Sequence, residues 1–302
     1  MTHMTFSSPG LRIKVFGALF VLFMVAVPAF GASLSGEEER SRVQADAAYE
    51  TGNYAYALTL YTPLAEEGDG HAQAMLSRLY AGQPGQAGVP RDEARALKWA
   101  QTGADQGHPD AMLALAALYY TGVGVEKDLS KAGEIVERAA SKGDATAQAH
   151  LGMMYSQGDG RPRDLGMAKD WLMKAARQGQ WNAQIMLGRL ILNEGTMLGA
   201  SLPAPNVPVE DASLAPPVEA DRAAARRGDA AAQLRLSRAL YIAALREATD
   251  VPHEAVDLME QAAESGNQSA QWALGALLSD GSHGIPSDPP TAKAWFDKAL
   301  KQ

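Results

Sequence analysis

Between Ala147 and Gly179 the apolar positions follow a helical period that breaks once and resumes. Ala147, Leu151, Met154 and Tyr155 fall at i, i+4, i+7 and i+8, which is one face of an amphipathic helix. Gly158, Asp159 and Gly160 interrupt the pattern, and a second helical stretch carries Ala168, Trp171, Ala175 and Ala176 to Gly179. The pattern predicts two helices joined by a glycine turn, with Asp164 placed to cap the free N–H groups of the second.

The same pattern lies 36 positions earlier, from Ala111 to Gly143, without a gap: Tyr119 over Tyr155, Gly122 over Gly158, Gly124 over Gly160 and Asp128 over Asp164. Further copies end at Gly107, Gly228 and Gly266, a last one fills 267–302, and Ala47 to Gly68 forms a related leading unit. A fixed period of this size marks a helical repeat array. A glycine pair after an apolar run could also cradle a phosphate, but such a loop occurs once in a fold. Here it recurs, and it degrades to "NEGTMLG" and "SDGSHG" while the helices persist, so it is read as a chain reversal.

Aligned copies resolve into columns. The first helices carry a small residue at Ser77, Ala116, Gly152, Gly188, Ser237 and Gly275, which allows close helix approach. The second helices carry alanine at Ala96, Ala132, Ala168, Ala255 and Ala292. Three residues on stand Trp99, Ile135, Trp171, Leu258 and Trp295, expected to form core between repeats. A unit below about 40 residues cannot bury enough surface alone, so stability must come from stacking. Pro203, Pro205, Pro208, Pro216 and Pro217 break the period, and the stretch from Gly195 to Glu219 is expected to be an exposed, semi-extended insertion without helix.

Ahead of the array, Arg12 and Lys14 precede the apolar run Val15 to Val27, which ends at Pro28 and is followed by Ala29 and Gly31. This order predicts a signal peptide over 1–31, cleaved after Gly31; left uncleaved, the segment would be the chain's membrane anchor. The chain has no cysteine, which excludes disulfides, thiolate metal sites and lipid attachment at cysteine. Lys and Arg number 27 against 35 Asp and Glu, so nucleic acid and anionic membrane are not expected partners.

No G-x-S-x-G, S-x-x-K, H-E-x-x-H or G-x-x-x-x-G-K-[ST] occurs. His253 and Glu254 begin "HEAVD", which lacks the second histidine of a zinc site; His253 is read at a helix start after Pro252. His71, His108 and His150 fall near the starts of three different first helices and are expected to lie apart. Neither a catalytic constellation, a metal site nor a cofactor is expected.

The repeat of Ala147, Gln148, Leu151, Gly152, Met154, Tyr155, Gly158, Gly160, Asp164, Ala168, Trp171, Ala175, Ala176 and Gly179 resembles the Sel1-like repeat, a relative of the tetratricopeptide repeat. The resemblance implies an all-α, right-handed α-solenoid of helix–turn–helix repeats. Its divisions are a tetratricopeptide-like helix pair at 32–68, Sel1-like repeats at 69–198, the proline-rich insertion at 199–218 and further repeats at 219–302. It also implies a non-enzymatic scaffold or adaptor binding envelope proteins, in polysaccharide export or sensor-kinase regulation. An envelope hydrolase acting on cell wall or β-lactams, and a membrane-anchored scaffold, stay open as alternatives. In related superhelices the first helices line the concave binding side. On that face Arg78, His150, Met153, Arg189, Arg235 and Arg238 are the candidate partner-binding residues, a basic groove with adaptable methionines.

Overall fold

Aspartates set the starts of the helices. In a computed structural model of the chain, which describes residues 36–82, 88–197, 215–247, 249–281 and 284–302, the first three helix pairs are α1 (Gly36–Glu50) with α2 (Tyr54–Glu66), α3 (Gly70–Ala81) with α4 (Glu93–Asp105), and α5 (Pro109–Thr121) with α6 (Leu129–Ser141). A fourth pair, α7 (Ala145–Gln157) with α8 (Leu165–Arg177), precedes α9 (Trp181–Met197) and α10 (Ala215–Arg226). Then come α11 (Ala230–Glu247) with α12 (His253–Glu264), and α13 (Gln268–Asp280) with α14 (Pro289–Leu300). The expected signal segment and most of the insertion lie outside the described residues.

Asp92, Asp128, Asp164 and Asp288 each accept a hydrogen bond from the backbone N–H three residues on, opening α4, α6, α8 and α14. Asp69 and Asp144 do the same for α3 and α7. At the other end, Gly122 and Gly158 take left-handed φ values of 80° and 86°, a conformation in which a side chain is strained. The recurrent glycine pair therefore turns the chain, as the pattern predicts.

A buried glutamine stitches five of the second helices to the first helix that follows. Gln73, Gln148, Gln184, Gln233 and Gln271 donate from Nε2 to the carbonyls of Ala65, Ala140, Ala176, Ala225 and Ala263, eight residues earlier. Each carbonyl also accepts the N–H of the glycine that ends the second helix. Helix end and helix start are thereby held by one oxygen. Met112 occupies this place in α5.

The alanine column is sealed between repeats, with Ala96, Ala132, Ala168, Ala255 and Ala292 at most 2% exposed. The tryptophan column is not interior as expected. Ile135 is buried, whereas Trp99, Trp171 and Trp295 sit half-buried at the rim of the core. Lys174 and Lys298, three residues on from two of them, lay their ammonium groups 3.7 Å from the indole centroids.

α9 departs from sequential pairing. It packs most extensively on α13 rather than on α10. Phe296 of α14 is fully buried between Trp181 of α9, at 5.3 Å between ring centroids, and Trp272 of α13, at 5.5 Å. The reason is legible in α10, which carries Pro217 and Ala220 where other second helices carry the alanine and the Trp, Ile or Leu. α10 packs on α11 instead. The expectation that the prolines exclude helix fails at two of them: Pro216 and Pro217 stand in the first turn of α10, where proline's missing N–H would have no intrahelical partner.

Candidate functional site

The first helices α1, α3 and α5 meet at His71. Asp69 caps α3 and so fixes His71 in its first turn. Pro109 follows the N-cap residue His108 and places Asp110 at the equivalent point of α5, one unit away. The two side chains consequently meet: His71 Nδ1 lies 3.0 Å from Asp110 Oδ2. On the other side His71 Nε2 lies 3.0 Å from Asp46 Oδ1, on α1. Tyr61 of α2, fully buried, donates its hydroxyl to the same Asp46 oxygen at 2.6 Å.

Electrostatics follow from the geometry. The Asp110 hydrogen bond, opposed by desolvation and reinforced by Asp46, raises the His71 pKa above the ordinary imidazole value. The same bond lowers the Asp110 carboxyl, with Arg78 and Arg42 adding to the effect. Burial, then Asp46, pushes the Tyr61 phenol far up, so it remains a hydrogen-bond donor. A carboxylate can only accept, so a carboxylate at each nitrogen favours the doubly protonated ring, and in that imidazolium form both nitrogens donate. Neither nitrogen is left to take a proton from a substrate. The arrangement can clamp three helices and hold charge; it is not the nucleophile-and-base geometry of covalent catalysis. Among the described residues no group of three His, Asp or Glu could hold a metal ion.

Two candidate residues, Arg78 and His150, come close enough for the charge of one to act on the ring of the other. Arg78 is exposed, with Nη1 3.7 Å from the sulfur of Met75. His150 of α7 is also exposed; the packing around its ring, and then the nearby positive charge of Arg78, hold its imidazole below the ordinary value. Met153, one turn on, is half-buried. On α5 the corresponding positions are Ala114, buried at 2%, and Ala117, which is exposed.

The remaining arginines do not join them as a continuous basic groove. Arg189 is exposed on α9, where Asn193 Nδ2 bonds its carbonyl oxygen at 3.0 Å. Arg235 is engaged by Asp221 of α10 at 2.6 Å. Arg238 Nε donates to the Leu192 carbonyl of α9 at 3.2 Å. Ala273 and Ala276 of α13 are 0% and 1% exposed because α13 turns that face onto α9.

The His71 clamp escaped the sequence reading, which expected the histidines to lie apart and considered no aspartate as a partner. A signal was present. His71 and Asp110 occupy the same repeat position in adjacent units, so a basic and an acidic group stand side by side.

A stack of capped helix pairs with a polar first-helix face defines the class: a helical-repeat scaffold. The family model described as Sel1 repeat matches residues 70–108, 109–144, 145–180, 230–267 and 268–302, and the chain belongs to the Sel1 repeat family. The unmatched stretch between the third and fourth copies contains α9 and α10, where pairing departs from the repeat. No curated protein matches the chain. Among solved structures it is similar to a Sel1 repeat protein from Oxalobacter formigenes, at 24% identity and a TM-score of 0.44, covering 86% of this chain and 96% of that one. A protective antigen of uropathogenic Escherichia coli strains with an SLR fold is 27% identical with a TM-score of 0.44, over 88% of this chain and 54% of that one. An immunity protein from Pseudomonas aeruginosa is 18% identical with a TM-score of 0.41, over 89% and 83%.

Proposed function

We propose that this Sel1 repeat protein is a non-enzymatic, protein-binding scaffold of the bacterial cell envelope, and that the first-helix face from α3 to α7 receives its partner. The observation that carries the reading is the nearness of Arg78 on α3 to His150 on α7, both exposed, on a face where α5 exposes Ala117. An exposed guanidinium lies close to an imidazole held toward its neutral form, and the half-buried thioether of Met153 follows one turn on. This combination suits an extended protein segment carrying a carboxylate. Export is supported by the basic, apolar and small-residue order of the first 31 residues. Among the described residues no helix is long and apolar enough to cross a membrane. Assembly of an envelope or polysaccharide-export complex, or control of a sensor kinase, are the roles such a scaffold would fill.

The test is capture by the full chain produced in a bacterial host, with N-terminal sequencing of the product. An N-terminus at Ala32 and repeated retention of one envelope protein are the expected results. Retention should be lost in an Arg78→Glu, Met153→Ala double variant that keeps the parent's circular dichroism. Undiminished retention by that variant rejects the α3–α7 face, and an N-terminus at Met1 or Thr2 rejects cleavage.

A further inference from the structure

The His71 clamp has no part in the partner contacts just proposed, yet it joins three helices through one titratable ring. The groups around that ring come from every side. α1 supplies Asp46 and Arg42, α2 supplies Tyr61, α3 itself supplies Arg78 and α5 supplies Asp110. His108, at the N-cap of α5, packs on Gly70 beside it. The charges acting directly on the ring are those of Asp46 and Asp110; Arg42 is itself held by Glu39 at 2.9 Å. The three clamp side chains are partly accessible, at 33% for His71, 39% for Asp46 and 46% for Asp110, so protons can exchange with solvent.

A neutral imidazole has one N–H. When the ring loses a proton, one nitrogen presents a lone pair to a carboxylate oxygen 3.0 Å away, and attraction becomes repulsion. Asp46 can accommodate the loss because Tyr61 still donates to it. Its bond to His71 is a polar tie between α1 and α3, so the leading helix pair is the part that loosens.

We propose that this clamp is a proton-operated latch on the first-helix face. While His71 carries both protons it fastens α1 and α5 to α3; on losing one it lets α1 go and leaves the face with one more net negative charge. The site would thus adjust both the position of the leading helix pair and the charge seen by an approaching partner.

Hydrogen exchange of the full chain at about pH 6 and about pH 9, corrected for the intrinsic chemical rate, tests this. Amides of α1 should exchange about tenfold faster at the higher pH, the size expected for losing one charge-assisted hydrogen bond. His71→Gln, which does not titrate, should abolish that difference. An α1 that exchanges equally at both values, or a His71→Gln protein with the same rise as the parent, overturns the latch. Should His71→Gln not fold, Asp46→Asn gives an independent reading by NMR titration of the His71 ring. Loss of one flanking anion should move the ring's midpoint downward, and an unmoved midpoint overturns the proposal.

Discussion

Gly188 of α9 rests against the backbone carbonyl of Trp272 in α13, although three helices intervene between them in the chain. At the corresponding position of other units the small residue meets its own second helix: Gly152 lies against Leu172 and the Ala168 carbonyl, Gly275 against Phe296, and Ser237 against the Ala255 carbonyl. α9 makes the same kind of close approach, but α13 supplies the surface. The last helix pair therefore takes the seat that α10 leaves; α10 packs on α11 around a small cluster of Ala225, Ala232 and Leu236, while α11 and α12 share the core of α9 and α13.

This contact should be intolerant of a single methyl group. A Cβ at Gly188 would overlap the Trp272 carbonyl and lie 2.6 Å from the Ala276 Cβ. Neither neighbour is the free end of a flexible chain, so the helices must part, at a cost of about 1–3 kcal/mol. Gly188→Ala should lower the thermal midpoint. Gly166→Ala is the control: its Cβ would meet only Asp164 Oδ1 at 3.3 Å, on an exposed helical position where alanine is favoured. Equal midpoints for the two variants would falsify the α9–α13 seat.

Phe296 holds the same junction from α14. It is fully buried and touches rings from two other helices. Phe296→Ala should cost about 3–5 kcal/mol, the range for truncating a core aromatic. The environment of Trp181 and Trp272 should change with it, so the unfolding curve followed by tryptophan fluorescence should show an early transition that the parent lacks.

How far this was legible can be judged from particular residues. The period, the aspartate caps at 92, 128 and 164 and the left-handed glycines were readable because they are local: each needs only its neighbours in the chain. The alanine column was readable because burial repeats with the period. The tryptophans were placed too deep, since periodicity gives a side chain's direction and not its depth below the surface. Arg235 and Arg238 read as partner-binding because the groups that engage them, Asp221 and the Leu192 carbonyl, lie on α10 and α9, where the repeat is broken. His71 was passed over for a related reason: its two carboxylates come from units 25 and 39 positions away.

The glutamine stitch allows a graded prediction. Gln148 Nε2 reaches the Ala140 carbonyl at 3.3 Å, and that carbonyl keeps the Gly143 N–H when the glutamine is removed. Met112 shows that the array accommodates methionine in one unit. Gln148→Met should therefore cost only about 1 kcal/mol, one ordinary hydrogen bond without an orphaned acceptor. Chemical denaturation gives the value. A loss several times larger would mean that Gln178, which bonds the Gln148 side chain at 2.8 Å, is part of the same unit of stability.

The clamp should give stability a two-sided pH dependence. His71 has a folded-state pKa above its unfolded value, so its contribution is complete below the ordinary imidazole value and fades as pH rises through the raised one. Asp110 has a folded-state pKa below its unfolded value, so its contribution is complete above the ordinary carboxylate value and fades as pH falls through the lowered one. The two windows overlap between roughly pH 4 and pH 6.5. Melting of the parent and of His71→Gln across the pH range isolates the pair, since every other titrating group is common to both. The difference in midpoint should be greatest inside that window and shrink on both sides, on the acid side as Asp110 protonates and on the alkaline side as the ring loses its proton. The partial exposure of both groups makes salt a second variable: raising ionic strength should reduce the difference without moving the window. A difference that stays constant from acid to alkali would show that His71 contributes by packing against Tyr61, 6.2 Å away between ring centroids, and not by charge.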